Sequence, residues 1–189
     1  MSRPDRLPKF LTDAEVERLL EQPNPRYYTP HRDRLYFRLM LNAGLRVSEA
    51  VALKPEHVDL NTGKIDVREG KGAKDRVVYV GNGLLDDLRE WMERRPESEY
   101  LLPTNGGGQV HPSHLRQSVK RYAEKAGIDE LDRVSPHTLR HTFATKLYRE
   151  TGKIRKVQKA LGHSDISTTM IYTHIVDEEL QSDMVGLWE

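Results

Sequence analysis

The sequence contains no cysteine. Disulfides, cysteine-based metal sites and thiol catalysis are therefore excluded, and the chain suits a reducing compartment. It has no run of 18 apolar residues, so no stretch reads as a membrane-spanning helix. Residues 1–10 carry Arg3, Asp5, Arg6 and Lys9 and no apolar core, unlike a secretory leader. Neither sign of charge dominates: 30 Lys and Arg against 29 Asp and Glu leave a formal net charge of +1. A uniformly basic nucleic-acid binder is thus not on offer, and the distribution of charge matters more than its sum. There is no Walker A sequence, no dinucleotide glycine fingerprint and no HExxH pattern. His137 and His141 stand four apart but lack a third ligand at an evident spacing, so no metal and no cofactor are expected.

What is present suits one globular domain. Hydrophobic residues are 37% and charged residues 31% of 189, enough for a sizeable core under a wet surface. The charges are segregated. Segment 153–163 holds Lys153, Arg155, Lys156 and Lys159 with no acid, and 113–125 holds Arg116, Lys120, Arg121 and Lys125 against Glu124 alone. Segment 177–189 holds Asp177, Glu178, Glu179, Asp183 and Glu189 with no base. One basic and one acidic face would follow, although ordinary solvated surface explains the same pattern.

The chain reads as mainly α with a small antiparallel β-sheet (α+β). Thr12 and Glu15 have capping-box spacing ahead of Val16, Leu19 and Leu20. Thr29-Pro30 opens a second helix that Gly44 should end. A short helix spans 47–53, broken at Lys54-Pro55. Ile65 and Val67 alternate with Asp66 and Arg68, which predicts strand over 64–68, paired with 76–80 through a long, flexible, charged tip at 69–75. Further helices are expected over 84–95, 111–126, 137–150 and 154–161, then a turn or two at 167–172 and a separate acidic helix at 177–184. Leu101-Leu102 fits a short strand or a buried extended piece.

Several reactive groups stand out, each with a bland alternative. His137 and Arg140 sit three apart in a helix's first turn, on one face, where free N–H groups favour a phosphate. Arginine adds a planar fork that fits two phosphate oxygens. Solvated surface residues are the plain alternative. Arg46 lies at a helix-to-helix corner after Gly44, where arginines commonly cap carbonyls. Lys71 sits in Gly70-Lys71-Gly72, with Lys74 an equal candidate by composition. His163-Ser164-Asp165 suits a helix cap, and Tyr172 suits simple packing with its hydroxyl outward.

Taken in order, however, the motifs are specific. Ala43-Gly44-Leu45-Arg46-Val47-Ser48-Glu49, Gly70-Lys71-Gly72-Ala73-Lys74-Asp75-Arg76, Ser135-Pro136-His137-Thr138-Leu139-Arg140-His141, Leu161-Gly162-His163 and Tyr172-Thr173-His174 span nearly the whole chain. The sequence resembles the tyrosine recombinase, or phage integrase, family, and looks closest to its chromosome-dimer-resolving, Xer-like branch. The resemblance implies that Arg46, Arg140 and His163 hold a scissile DNA phosphate, Lys71 protonates the leaving 5′ oxygen, and His137 acts as general base or phosphate ligand. Tyr172 would attack to give a 3′-phosphotyrosyl bond. Glu49 would steady the first arginine and His141 would stand behind the site. The resemblance also implies double-stranded DNA as partner, self-association on DNA from dimer to tetramer, strand rejoining without metal or ATP, and a cytoplasmic, nucleoid-associated location.

These roles match the residue types. Two guanidiniums and a histidine oppose charge on a phosphodiester under attack. A phenol needs help to lose its proton, and an alkoxide needs a proton to leave. The basic residues Lys74, Arg76, Arg116, Lys120, Arg121, Lys153, Arg155, Lys156 and Lys159 are the expected contacts to the DNA backbone.

The resemblance further implies a single catalytic domain over 1–189, with about 8–176 as its core and the family's N-terminal DNA-gripping domain absent. Segment 177–189 becomes a tail that docks in cis or in trans, burying Trp188. Nicking and closing in the manner of a type IB topoisomerase, a DNA-binding or assembly module that no longer cuts, and a helical scaffold are the competing readings.

Overall fold

The computed structural model describes residues 9–68, 75–129 and 134–185, without the side chains of 178–183. The described residues form α1 (Asp13–Glu21), α2 (Tyr28–Ala43), α3 (Val47–Ala52), a 3₁₀ turn (Pro55–His57), β1 (Lys64–Val67), β2 (Arg76–Tyr79), α4 (Asn82–Arg94), α5 (Pro112–Lys125), α6 (Pro136–Thr151), α7 (Ile154–Leu161) and α8 (Ser167–Val185). The fold is mainly helical with one small antiparallel sheet, as the sequence pattern predicts. No helix among the described residues is long and apolar enough to cross a membrane.

Local chemistry sets the element ends. Thr12 and Glu15 complete the capping box of α1. α2 begins at Tyr28 rather than at Thr29-Pro30; Pro30 is tolerated inside the first turn because N–H groups there need no helical partner. β1 and β2 pair with Ile65 opposite Val78 and Val67 opposite Arg76. Leu101 and Leu102 are buried without forming a strand. The Leu101 N–H donates to the Leu53 carbonyl at 2.7 Å, and side chains meet the two carbonyls, with Trp91 Nε1 donating to that of Leu101 at 2.8 Å and Tyr36 Oη to that of Leu102 at 2.6 Å. The predicted break between 172 and 177 is absent: α8 runs continuously from Ser167 to Val185, with no proline or glycine inside it to stop it. The tip of the hairpin at 69–74 and Trp188 lie outside the described residues.

Two apolar clusters pack around α2 and α6. The larger includes Leu35, Phe37, Leu39 and Met40 of α2, Leu88 and Trp91 of α4, Leu115 and Val119 of α5, and Leu139 of α6. The smaller joins Ala144 of α6 to Val157 and Leu161 of α7 and Tyr172 and Ile175 of α8. The predicted stripe Leu139/Phe143/Leu147 is therefore divided: Leu139 serves the first cluster, while Phe143 and Leu147 pack against the second.

A buried polar anchor orients α5. Asp33 is fully buried on α2 and accepts from Ser118 Oγ at 2.6 Å and from Arg32 Nη2 at 3.0 Å. His114 Nε2 lies 3.1 Å from both carboxylate oxygens. With one face of α5 fixed in this way, Arg116, Lys120 and Arg121 stay on the exposed side.

Gly44 sets the distance between the clusters. Its φ is +62°, and a Cβ there would lie 2.4 Å from Phe143 Cδ1 and 3.2 Å from Leu161 Cδ2. A left-handed backbone for alanine costs about 1–2 kcal/mol, and forcing a methyl into packed side chains adds about 1–3 kcal/mol. Gly127 has the same φ with open space around it. Denaturant titration should therefore show Gly44→Ala losing clearly more stability than Gly127→Ala. Equal losses would contradict the close approach.

Candidate active site

The expected site residues gather along the seam between the clusters. Arg46 is the N-cap of α3, and Glu49 three residues on is buried. Glu49 Oε2 accepts the Arg46 backbone N–H at 2.7 Å, and Oε1 accepts Arg46 Nη1 at 2.8 Å. This ties both the backbone and the guanidinium of Arg46 to one carboxylate. Burial pushes the Glu49 carboxyl up, but the hydrogen bonds and charge of Arg76, the Arg46 amide and the Arg140 charge outweigh it and hold the group below the usual carboxylate range.

Arg140 enters as the fifth residue of α6. Its Nη1 donates to the Gly44 carbonyl, and its Nη2 donates to the Leu161 carbonyl at 2.8 Å. Both carbonyls close helices, so orphan acceptors at two helix ends hold one guanidinium. Burial and then the Arg46 charge push Arg140 down to about 10, with Glu49 opposing. It remains cationic at neutral pH. His137, three residues earlier, is exposed. Three residues advance a helix by about 300°, and the border between interior and solvent falls between the two side chains.

His163 follows α7 beyond Gly162. Arg140 Nη2 stands 3.3 Å from its Nε2, and Thr169 Oγ1 stands 2.9 Å from its Nδ1. A guanidinium cannot accept, so Nε2 carries the lone pair and Nδ1–H donates to the buried threonine. Burial, and then the charges of Arg140 and Arg46, push His163 down to about 4.

Tyr172 lies on α8 with 1% of its surface exposed. The plain alternative of an outward hydroxyl does not hold. Its Oη lies 2.8 Å from His141 Nδ1, inside the smaller cluster. Burial pushes the phenol up to about 12, partly offset by Arg140, and burial pushes His141 down to about 4. In this state the proton stays on the phenol. Arg46, Arg76 and His163, together with Arg68, Arg155 and Lys159, line an open groove of about 1370 Å³. The structure therefore brings Arg46, Arg140 and His163 together, with the Tyr172 hydroxyl withdrawn behind them.

The remaining expectations divide. Arg116, Lys120, Arg121, Lys153, Arg155, Lys156 and Lys159 are exposed. Lys71 and Lys74 lie outside the described residues. Arg76, expected at the DNA backbone, is instead an interior residue, its side chain 5% exposed and 2.8 Å from Glu49. The signal was in the strand pattern: Arg76 shares its face with Val78, while Val77 and Tyr79 point out. Thr169 and the Gly44 and Leu161 carbonyls were not foreseen, since backbone acceptors and tertiary neighbours leave no trace in residue type.

Two histidines of the site, both strongly depressed, give stability a defined pH dependence. Unfolded histidines bind protons from about pH 6.5 downward, whereas folded His141 and His163 do so only near pH 4. The unfolded state binds more protons in between, so stability falls as pH drops from about 6.5 to about 4. Long-range ¹H–¹⁵N spectra at pH 6 should show both rings neutral, with the proton of His163 on Nδ1. A charged His163 in the free protein at that pH would contradict the geometry.

The description "Phage integrase family" is that of the family pattern matching residues 9–179. Tyrosine recombinase XerA of Thermococcus kodakarensis is 48% identical over 182 residues, covering 94% of this chain and 62% of the relative. Tyrosine recombinase XerD of Vibrio cholerae is 39% identical over 185 residues, covering 94% and 61%. The chain thus spans about three-fifths of these relatives' length. Among solved structures, a XerA recombinase superposes with a TM-score of 0.83 at 33% identity, covering 98% of this chain and 67% of that one. XerH bound to palindromic difH substrate in a post-cleavage complex gives 0.83 at 30% identity, covering 97% and 54%. With this coverage, on top of the ordered motifs and their convergence, the chain belongs to the phage integrase family, among the tyrosine recombinases.

Proposed function

We propose that this chain cleaves and rejoins DNA strands at specific sites through a covalent 3′-phosphotyrosyl intermediate, using no ATP. The observation that carries the reading is that Arg46 and His163 line one groove, with buried Arg140 directly against His163 and the Tyr172 hydroxyl bonded to His141. A phosphodiester in the groove would place its non-bridging oxygens against two preorganised guanidiniums and an imidazole. Its negative charge would raise His163 toward the protonated, donating form. Arg155 and Lys159 would hold neighbouring phosphates, with Lys153, Lys156 and the exposed bases of α5 extending the contact.

Attack requires the phenol to leave its buried seat. A shift of α8 would carry Tyr172 from His141 toward the phosphorus, and His137 or His141 would receive its proton. The new O–P bond forms as the bond to the 5′ oxygen breaks, and Lys71 would supply the proton that this oxygen needs to depart. Rejoining reverses the steps, because the phosphotyrosyl bond conserves the energy of the phosphodiester. Self-association on DNA, from dimer to tetramer, would supply the environment in which α8 moves, its end docking within the chain or on a second copy.

A nicked duplex that traps the adduct tests the reading. Adduct should form in EDTA with the wild-type chain and vanish in Tyr172→Phe; no adduct, or adduct that survives Tyr172→Phe, would defeat it. Lys71→Ala should slow cleavage of ordinary DNA by about 10²–10⁴-fold. A 5′-bridging phosphorothiolate, whose sulfur leaves without a proton, should restore the rate. An unaltered Lys71→Ala rate on ordinary DNA would remove lysine from the acid role.

A further inference from the structure

Arg76 opens β2 and points inward beside Val78. A buried guanidinium is costly unless its donors are met. Here Nη1 donates to Glu49 Oε1 and Nη2 to Glu49 Oε2, both at 2.8 Å, a two-pronged pair. Nε donates to the Ala160 carbonyl of α7 at 2.8 Å. The end of α7 rests on the arginine stem, since a Cβ on Gly162 would lie 3.0 Å from Arg76 Cδ. One side chain thus fastens three pieces of the site: β2, the Glu49 support of Arg46, and the turn that delivers His163.

The division of Glu49 among its neighbours is uneven. The Arg76 guanidinium takes both carboxylate oxygens, while Arg46 takes Oε1 with its guanidinium and Oε2 with its backbone N–H. Arg140 Nη1 remains 3.8 Å from Oε2, beyond hydrogen-bonding distance, and is held by two carbonyls instead. We propose that Arg76 is a positioning residue for the phosphate site, occupying the Glu49 carboxylate so that it supports Arg46 and leaves Arg140 on its two carbonyls beside His163. Arg76 lines the groove, but Nε, Nη1 and Nη2 are engaged by α7 and Glu49, and the proposed action on the DNA phosphate runs through them. The inference rests on the cleavage reading above.

The groups that face Glu49 are Arg46 from α3, Arg76 from β2 and Arg140 from α6, with His163 behind Arg140 after α7. Removing Arg76 leaves burial as the dominant influence on Glu49 and should move its protonation into the working pH range. Adduct formation on the nicked duplex is measured from pH 5 to pH 8. In Arg76→Gln the rate should acquire an extra acid limb, falling roughly tenfold per pH unit below the new Glu49 midpoint. Arg76→Lys, which restores charge without the fork, should return the acid-side rate while staying below wild type. In Arg76→Gln/Glu49→Gln the extra limb should vanish.

Arg76→Gln and Arg76→Lys profiles parallel to wild type, or an acid limb that persists in the double variant, would overturn the inference. The ¹³Cδ titration of Glu49 decides independently of cleavage. In both variants its midpoint should rise above the wild-type value, more so in Arg76→Gln; an unchanged midpoint in either one overturns the positioning role. If the wild-type chain forms no adduct, the cleavage reading fails, while the titration still decides what Arg76 does to Glu49.

Discussion

The buried carboxylate of Glu49 is the constraint on which the site depends. Arg46, Arg76 and Arg140 all lie within 4 Å of it. Without a central anion, three cations this close would repel one another and pull their segments apart. Such a cluster is poor evidence for stability, because desolvation offsets much of the attraction. Its value lies in geometry. Cations fixed before the substrate arrives do not need to reorganise as charge develops on a phosphate.

The fold makes this arrangement possible by leaving a seam between two apolar clusters. α6 crosses the seam and offers Leu139 to one side and Ala144 to the other, with Arg140 between them. Gly44, lacking a side chain, lets Phe143 and Leu161 close against the end of α2 and presents its carbonyl to Arg140. α8 then closes the smaller cluster by inserting Tyr172. The same packing that stabilises the free chain therefore holds the hydroxyl away from the groove. On the proposed function, the cationic seat would be ready while the nucleophile is stored, which would separate phosphate capture from bond cleavage. Release of α8 would cost the burial of one tyrosine, on the order of 2–3 kcal/mol by area.

Much of this was legible in the sequence, for identifiable reasons. Periodicity and caps located the helices because Thr12, Gly44 and Gly162 act locally. The identity of Arg46, Arg140, His163 and Tyr172 followed from an ordered set of motifs, although each alone reads as an ordinary surface or packing residue. The errors have a common origin in tertiary context. Arg76 was taken for a surface cation because arginine seldom lies inside, yet its alternation with Val77 and Val78 placed it there. The burial of the Tyr172 hydroxyl was not legible because the cluster that covers it comes from α6 and α7, remote in sequence. Helix α8 was divided in two because acidic composition changes at 177, whereas only a proline, a glycine or a lost backbone bond would break it.

The most direct measurement is a crystal structure of the Tyr172→Phe chain bound to an uncleaved duplex. The account predicts one backbone phosphate within hydrogen-bonding distance of Arg46, Arg140 and His163, with Glu49 still bridging Arg46 and Arg76. A phosphate path that follows the basic helices and bypasses the groove, with Arg140 still enclosed by the Gly44 and Leu161 carbonyls and out of reach of DNA, would contradict it.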